Sequence, residues 1–217
     1  MLEELKGRCP ALSWLHMEPG NVTNMSSANL LPSSLTHLTL RKSTWQPRWL
    51  KDCADHFTHL VYLDLTGTVR VDNHDMKDIA QFSKLHTLKL DNCYRLSEQG
   101  LQEIVQALTL LTFLSLQGCD TSDLVVHHIG RHLTALQYLD VSGSKSLTES
   151  CLPMLASLAK LEQLMLNECH NLTVKAFSAL CMSHSLRKVS LVLTESRISE
   201  DDIAQWRNEM PKCTILI

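Results

Sequence analysis

The sequence predicts an α/β solenoid, a curved stack with one parallel sheet on its concave side and helices on its convex side. Three observations carry that expectation. A strand-sized pattern of apolar residues at positions 0, +3 and +5 recurs eight times, led by Leu12, Leu35, Leu60, Leu85, Leu111, Leu136, Leu161 and Leu186. The offsets between successive lead leucines are 23, 25, 25, 26, 25, 25 and 25 residues, a register too constant for chance. Between the strand patterns lie apolar residues at helical spacing behind a good N-cap; Ser97 followed by Leu101, Ile104, Val105 and Leu108 is the clearest case. One strand-and-helix unit cannot bury its own apolar face, whereas stacked copies can.

Residues 2–11 read as the helix of an incomplete N-terminal repeat. Leu2, Leu5 and Cys9 precede Leu12 by 10, 7 and 3 residues, as Leu101, Ile104 and Leu108 precede Leu111. Either this helix serves as the N-terminal cap, or, as the ordinary look of this end favours, the chain is the C-terminal part of a longer protein. The first full repeat returns through the turn-forming Glu18-Pro19-Gly20-Asn21, then through Leu30-Leu31-Pro32-Ser33-Ser34, which Pro32 makes too short for a long helix.

The second repeat places Trp49, Leu50, Cys53, Ala54 and Phe57 on one helix face behind Pro47. In the third, Asp72 is the expected N-cap before Met76, Ile79 and Phe82. The fifth has Thr121 or Ser122 as cap and Val126, Ile129 and Leu133 inward; the sixth has Thr148, then Leu152, Met154, Leu155 and Leu158. Thr173 precedes Ala176, Phe177 and Leu180 in the seventh, and Ser199 precedes Ile203 and Trp206 in the eighth. Residues 212–217, with Cys213-Thr214-Ile215-Leu216-Ile217, read as a closing strand. Residues 1–217 are thus expected to form a single domain of about eight repeats. Strands are expected to centre near residues 14, 37, 62, 87, 113, 138, 163 and 188, on a right-handed curve.

Composition narrows the function. A formal net charge of −3 over 217 residues, with both signs interspersed, supplies neither an electrostatic footprint for nucleic acid nor a polybasic membrane patch. No apolar run approaches the ~18 residues of a membrane span, and the start is not that of a signal peptide. A cytoplasmic or nuclear location is expected. The eight cysteines follow the repeat: Cys93, Cys119 and Cys169 each stand three residues after the last strand leucine, where Ser43, Thr68, Ser144 and Thr194 stand in other repeats. With no C-x-x-C pair, they read as packed thiols rather than disulfides or metal ligands. His128 and His132 are an i, i+4 pair beside His127, but the register sets no third ligand near them, so no metal is expected. No G-x-S-x-G, Gly-rich phosphate loop or H-E-x-x-H occurs, so no cofactor and no catalytic residue are expected, and the chain does not read as an enzyme.

The strand pattern is the leucine-rich-repeat signature L-x-x-L-x-L-x-x-N/C-x-L. Its helix-bearing period, its turn cysteines, Cys9-Pro10 before a strand and motifs such as Leu166-Asn167-Glu168-Cys169-His170-Asn171-Leu172-Thr173 resemble the cysteine-containing class of these repeats. That class is best known from the F-box/leucine-rich-repeat proteins, and the resemblance covers essentially the whole chain. It implies a substrate-recognition module of a Skp–cullin–F-box ubiquitin ligase, in ubiquitin-dependent protein degradation. In that family F-box helices bind the Skp adaptor, and through it the cullin, while the repeats bind the substrate. The F-box would lie N-terminal to the repeats and no residue of this chain carries it, so adaptor and cullin are expected as partners only through an F-box upstream. The other reading is a free-standing scaffold or inhibitor using the same repeats.

Partner-binding residues are read from strand alternation, which turns positions +2, +4 and +6 onto the concave face. The +2 column is Trp14, His37, Tyr62, Thr87, Phe113, Tyr138, Gln163 and Lys188. It holds four of the chain's 11 Phe, Trp and Tyr residues, where a random draw would place well under one. Aromatic neighbours of this kind either stiffen the sheet by cross-strand stacking or serve as interface anchors. Beside them His16, Glu18, Arg41, Asp64, Lys89, Asp91 and Asp140 read as a polar rim that orients a protein substrate. Neither nucleic acid nor membrane is expected there.

Overall fold

A computed structural model of the chain describes residues 5–19, 22–23, 27–173, 176–192 and 199–216, with the side chains of Ala176 and Phe177 outside that description. Its nine strands are β1 (Trp14–Met17), β2 (His37–Leu40), β3 (Tyr62–Asp64), β4 (Thr87–Lys89), β5 (Phe113–Ser115), β6 (Tyr138–Asp140), β7 (Gln163–Met165), β8 (Lys188–Ser190) and β9 (Thr214–Leu216). They form one sheet in strictly sequential order, every neighbouring pair parallel. The expected positions mark where the strands start rather than their centres. β9 is the closing strand read from the last residues, apart from Ile217, which lies outside the described residues, as do Leu2, Gly20 and Asn21.

Register follows the period. The +3 residues Leu38, Leu63, Leu88, Leu114, Leu139, Leu164, Val189 and Ile215 pair in one column and are buried. The lead and +5 leucines fill the same core from Leu35 to Leu191. Each unit returns through a helix: α1 (Leu5–Arg8), α2 (Trp49–His56), α3 (Asn73–Ile79), α4 (Glu98–Ala107), α5 (Asp123–His132), α6 (Leu152–Ala156), α7 (Ala176–Leu180) and α8 (Glu200–Glu209). Between β1 and β2 a single 3-10 turn, Ala28–Leu30, stands where a helix would be, as Pro32 dictates.

Caps fix where the helices begin. Asp72 accepts the His74 N–H at 2.8 Å while Asp75 accepts the Asp72 N–H, and Ser199 with Asp202 forms the same reciprocal box. Ser97 and Ser122 cap α4 and α5, which resolves the choice between Thr121 and Ser122. In the sixth repeat Thr148 caps a 3-10 turn, Glu149–Cys151, and the α-helix proper starts around Pro153. Met154 and Ile203, expected inward, are only half-buried. Helices end alike: the N–H groups of Phe57, Leu108 and Leu133 close the last turn, and their carbonyls accept the N–H of the next lead leucine at 3.0 to 3.1 Å.

Two ladders join the turns. The slot after the strand donates to the last strand carbonyl of the preceding repeat: Thr68 Oγ1 to Leu40, Cys93 Sγ to Leu65, Cys119 Sγ to Leu90 and Cys169 Sγ to Val141, at 3.0 to 3.5 Å. In Thr68 a hydroxyl thus does the same job as the thiols, whereas Ser43 donates to the Arg41 carbonyl at 3.0 Å. Ser144 instead accepts the Thr121 N–H, and Thr194 lies outside the described residues. Burial pushes these thiols up, Cys119 to about 12 and Cys169 to about 11, where they are inert protonated groups. Cys93, Cys119 and Cys169 should therefore resist a water-soluble maleimide in the folded protein while the exposed Cys9 reacts, and all eight should react in denaturant. Peptide mapping showing rapid native labelling of Cys93 would contradict this.

The second ladder leaves no sign in the strand pattern. Position +7 adopts a left-handed backbone in Lys42, Gly67, Asn92, Gly118, Gly143 and Glu168, with φ between 49° and 75°. Each N–H there donates to the +6 carbonyl of the next repeat at 2.7 to 2.9 Å. Glycine suits the slot because it lacks the Cβ clash of that region. Among the described residues no helix is long and apolar enough to cross a membrane.

Candidate functional site

The +2 residues pair in register from Trp14 through His37, Tyr62, Thr87, Phe113, Tyr138 and Gln163 to Lys188, so their side chains stand side by side on the sheet face. Trp14 stacks on His37 with centroids 5.3 Å apart, and His37 on Tyr62 at 5.5 Å. Phe113 and Tyr138 lie face to face at 4.0 Å and 2°. Thr87 interrupts the rings, and Lys89 spans the gap: its ammonium lies 5.9 Å from the Tyr62 centroid and 5.0 Å from that of Phe113. The result is a continuous ladder from Trp14 to Tyr138 in which Lys89 is a rung. The sequence reading set Lys89 on the polar rim, because nothing in one dimension shows that its stem reaches across Thr87.

Stacking covers most of the column. Trp14 is 62% exposed, while His37, Tyr62, Phe113 and Tyr138 are half-buried. The +4 residues depart further from expectation. Alternation does turn them onto the sheet face, yet Asp64 is fully buried and Asp140 only 9% exposed, so neither is an open rim charge. Strands ~4.8 Å apart let neighbouring side chains lean over this row, and the carboxylates turn inward to bind backbone. Asp64 Oδ1 accepts the Thr66 N–H at 3.0 Å, and Asp140 Oδ1 the Ser142 N–H at 2.9 Å. Asp91 accepts the Gln117 N–H at 3.1 Å and the Ser115 hydroxyl.

Charge is distributed unevenly along the face. At the N-terminal end Arg41 donates to Asp64 Oδ2 through Nη2 at 2.8 Å and Nε at 2.9 Å. Glu18 binds Lys42 at 3.1 Å and Arg41 at 3.6 Å. His16 is exposed beside them. Desolvation pushes the Asp64 carboxyl up, but the hydrogen bonds from Arg41 and Thr66 and the Arg41 charge outweigh it and hold it below the usual range. Toward the middle no such cation arrives among the described residues: desolvation, with the like charge of Asp91, leaves Asp140 raised.

His128 and His132 stack at 5.9 Å on α5, with Gln106 against His128, and no three metal-binding side chains cluster among the described residues. A feature the sequence reading missed is a groove of about 660 Å³ at the N-terminal ends of α2 and α3. Arg48, Lys51, Arg70 and Arg95 line it opposite Asp72, Asp75 and Asp78.

Sequential parallel strands, returning helices and turn ladders make this chain a leucine-rich-repeat solenoid. No family model matches the sequence. The repeat region is similar to F-box/LRR-repeat protein 12 of Homo sapiens, 29% identical over 171 residues, covering 76% of this chain and 51% of that protein. F-box/LRR-repeat protein 12 of Mus musculus is 30% identical over 138 residues, covering 61% of this chain and 41% of that protein. F-box/LRR-repeat protein 4 of Bos taurus is 27% identical over 172 residues, covering 72% and 26%. The chain spans about half the length of the first curated relatives it matches. Solved structures share the fold: an internalin from Listeria monocytogenes (TM-score 0.60, 21% identity, 85% of this chain and 48% of that one) and the yeast Rad7 and Elc1 complex (TM-score 0.56, 14% identity, 84% and 54%). The likeness to F-box/leucine-rich-repeat proteins drawn from the turn cysteines thus holds over the repeat region.

Proposed function

We propose that the concave face is a protein-recognition surface and that the chain serves as the substrate-recognition part of an F-box/leucine-rich-repeat subunit of a Skp–cullin–F-box ubiquitin ligase. The observation that carries the reading is the aromatic ladder. It is pre-stacked on a rigid sheet whose other face is the core, so its rings lose little entropy on contact; Trp14 stands 62% exposed, and the other rings are half-buried by one another and by Lys89. Trp14, His37, Tyr62, Phe113 and Tyr138 are the anchors; His16, Arg41, Lys89 and Asp91 orient the partner from the sides. Asp64, sealed by Arg41, acts from beneath by holding its strand end. Similarity to curated F-box/LRR-repeat proteins supports the ligase part, which extends beyond the repeats.

The test has two arms. Trp14→Ala with Phe113→Ala should release the proteins that the wild-type repeats retain from cell extract, a loss of ~2 kcal/mol or more if these rings are hot spots. Far-ultraviolet circular dichroism should stay unchanged, because neither side chain is in the core. Retention by the double variant would move the interface off this face. For the ligase, the same repeats placed behind an F-box should co-purify with the Skp adaptor, and the 217-residue chain alone should not. Adaptor binding by this chain alone would contradict an F-box-dependent attachment and favour another role for the repeats.

A further inference from the structure

The tripeptide Tyr-Leu-Asp occurs twice on the sheet, as Tyr62-Leu63-Asp64 in β3 and Tyr138-Leu139-Asp140 in β6. The two copies are built alike. In each the tyrosine hydroxyl lies 3.4 Å from Oδ2 of the aspartate, and Oδ1 of the aspartate accepts the N–H two residues on. They differ in one partner. Over Asp64 lies the Arg41 guanidinium, supplied by position +6 of the preceding repeat, and the carboxylate is fully covered. Over Asp140 that same position is Gln117, whose exposed side chain makes no bond to it. Asp140 is thus more than nine-tenths buried and without a cation among the described residues. The flanking members of its row, Ser115 and Met165, carry no charge.

Three further features suit a guanidinium at the copy without a cation. Phe113 and Tyr138 supply a flat, pre-stacked pair of rings beside it, and a planar cation stacks well on an aromatic face. Asp91 stands close enough for its charge to raise both Asp140 and Tyr138, so a second negative group lies near the first. The resident ammonium of Lys89 lies on the far ring of the pair, over Phe113 and Tyr62, and forms no ion pair with Asp140.

We propose that the Tyr138–Asp140 corner binds an arginine side chain of the partner protein, whose guanidinium takes the place over Asp140 that Arg41 takes over Asp64. The proposal rests on the protein-recognition reading above and names the chemistry at its centre. Arginine rather than lysine is the occupant, because in the occupied copy two nitrogens of one guanidinium, Nε and Nη2, converge on the single oxygen Oδ2, which the one nitrogen of an ammonium cannot reproduce.

The probe is Nα-acetyl-arginine methylamide, titrated at low ionic strength against the isotope-labelled chain, with the citrulline analogue as its uncharged twin. The arginine compound should shift the Tyr138 ring and Ser142 amide resonances saturably. Asp140→Asn, which keeps an acceptor for the Ser142 N–H, should weaken that binding about tenfold or more, and citrulline should bind no better. Arg41→Gln should open the second copy and add saturable shifts at Tyr62 and Thr66. Absence of shifts at Tyr138, equal shifts with citrulline, or indifference to Asp140→Asn would overturn the proposal. Each of those results would leave the concave-face reading standing on the Trp14 and Phe113 experiment.

Discussion

Leu88→Ala is expected to lower the unfolding free energy by ~2–5 kcal/mol, the range for deleting most of a buried leucine and leaving a cavity. Leu88 has no exposed surface and stands between Leu63 and Leu114, themselves fully buried, in the column that joins successive strands. A compact domain can collapse on such a hole from several sides. A solenoid repeat has only two neighbours, so relaxation is limited and the damage local. Urea unfolding should show the loss, and native-state hydrogen exchange should show its reach: amides of β3 to β5 should exchange faster than wild type, with β1, β8 and β9 least affected. A loss below ~0.5 kcal/mol, the scale of an ordinary surface change, or uniform acceleration along the sheet would contradict it.

Most of the fold was legible because a repeat states each instruction many times. A leucine at +3 in one strand is weak information; the same residue in six others, with Val189 in the eighth, fixes sheet, register and core together. Legibility fell where a repeat departs from its siblings. Pro153 splits the sixth helix into a 3-10 turn and a short α-helix, although the apolar spacing reads as one helix. The left-handed slot leaves no sign in the strand pattern: it is glycine at Gly67, Gly118 and Gly143, but Lys42 and Glu168 occupy it elsewhere. There the carbonyl of the next repeat binds the N–H strongly enough to hold an unfavourable backbone.

The candidate site was legible in identity but not in depth. Alternation places Asp64, Lys89 and Asp140 on the sheet face correctly, yet it treats every outward residue as equally open. Whether a side chain on that face meets water depends on the reach of its neighbours in the adjacent strands. Arg41 reaches Asp64 and seals it, Lys89 reaches past Thr87 to two rings, and Gln117 makes no bond to Asp140. These differences lie in rotamers, which period and composition do not encode.

Arg41→Ala should reveal what that seal is worth. Asp64 would keep the Thr66 N–H but lose both guanidinium donors, leaving a buried carboxylate without its cation. Breaking a fully buried pair costs ~3–5 kcal/mol; since the Arg41 side chain is 35% exposed, the expected loss near neutral pH is about 2–3 kcal/mol. The pH dependence gives the sharper test. In the wild type Asp64 is held below its unfolded value, so its contribution is fully present above the ordinary carboxylate range and is lost only as pH falls through the lower folded value. In the variant the desolvation that Arg41 overcame pushes the folded value above the unfolded one, and the penalty, full at neutral pH, fades as acidification protonates Asp64. The gap between the two unfolding curves should therefore be widest near pH 7, narrow as acidification protonates Asp64 in the variant, and close only as pH falls through the lower folded value of the wild type. Asp64→Asn in the Arg41→Ala background should recover part of the loss at pH 7, because the amide carries no charge to bury. A gap independent of pH would mean that the lost packing of the arginine stem, not its charge, sets the cost.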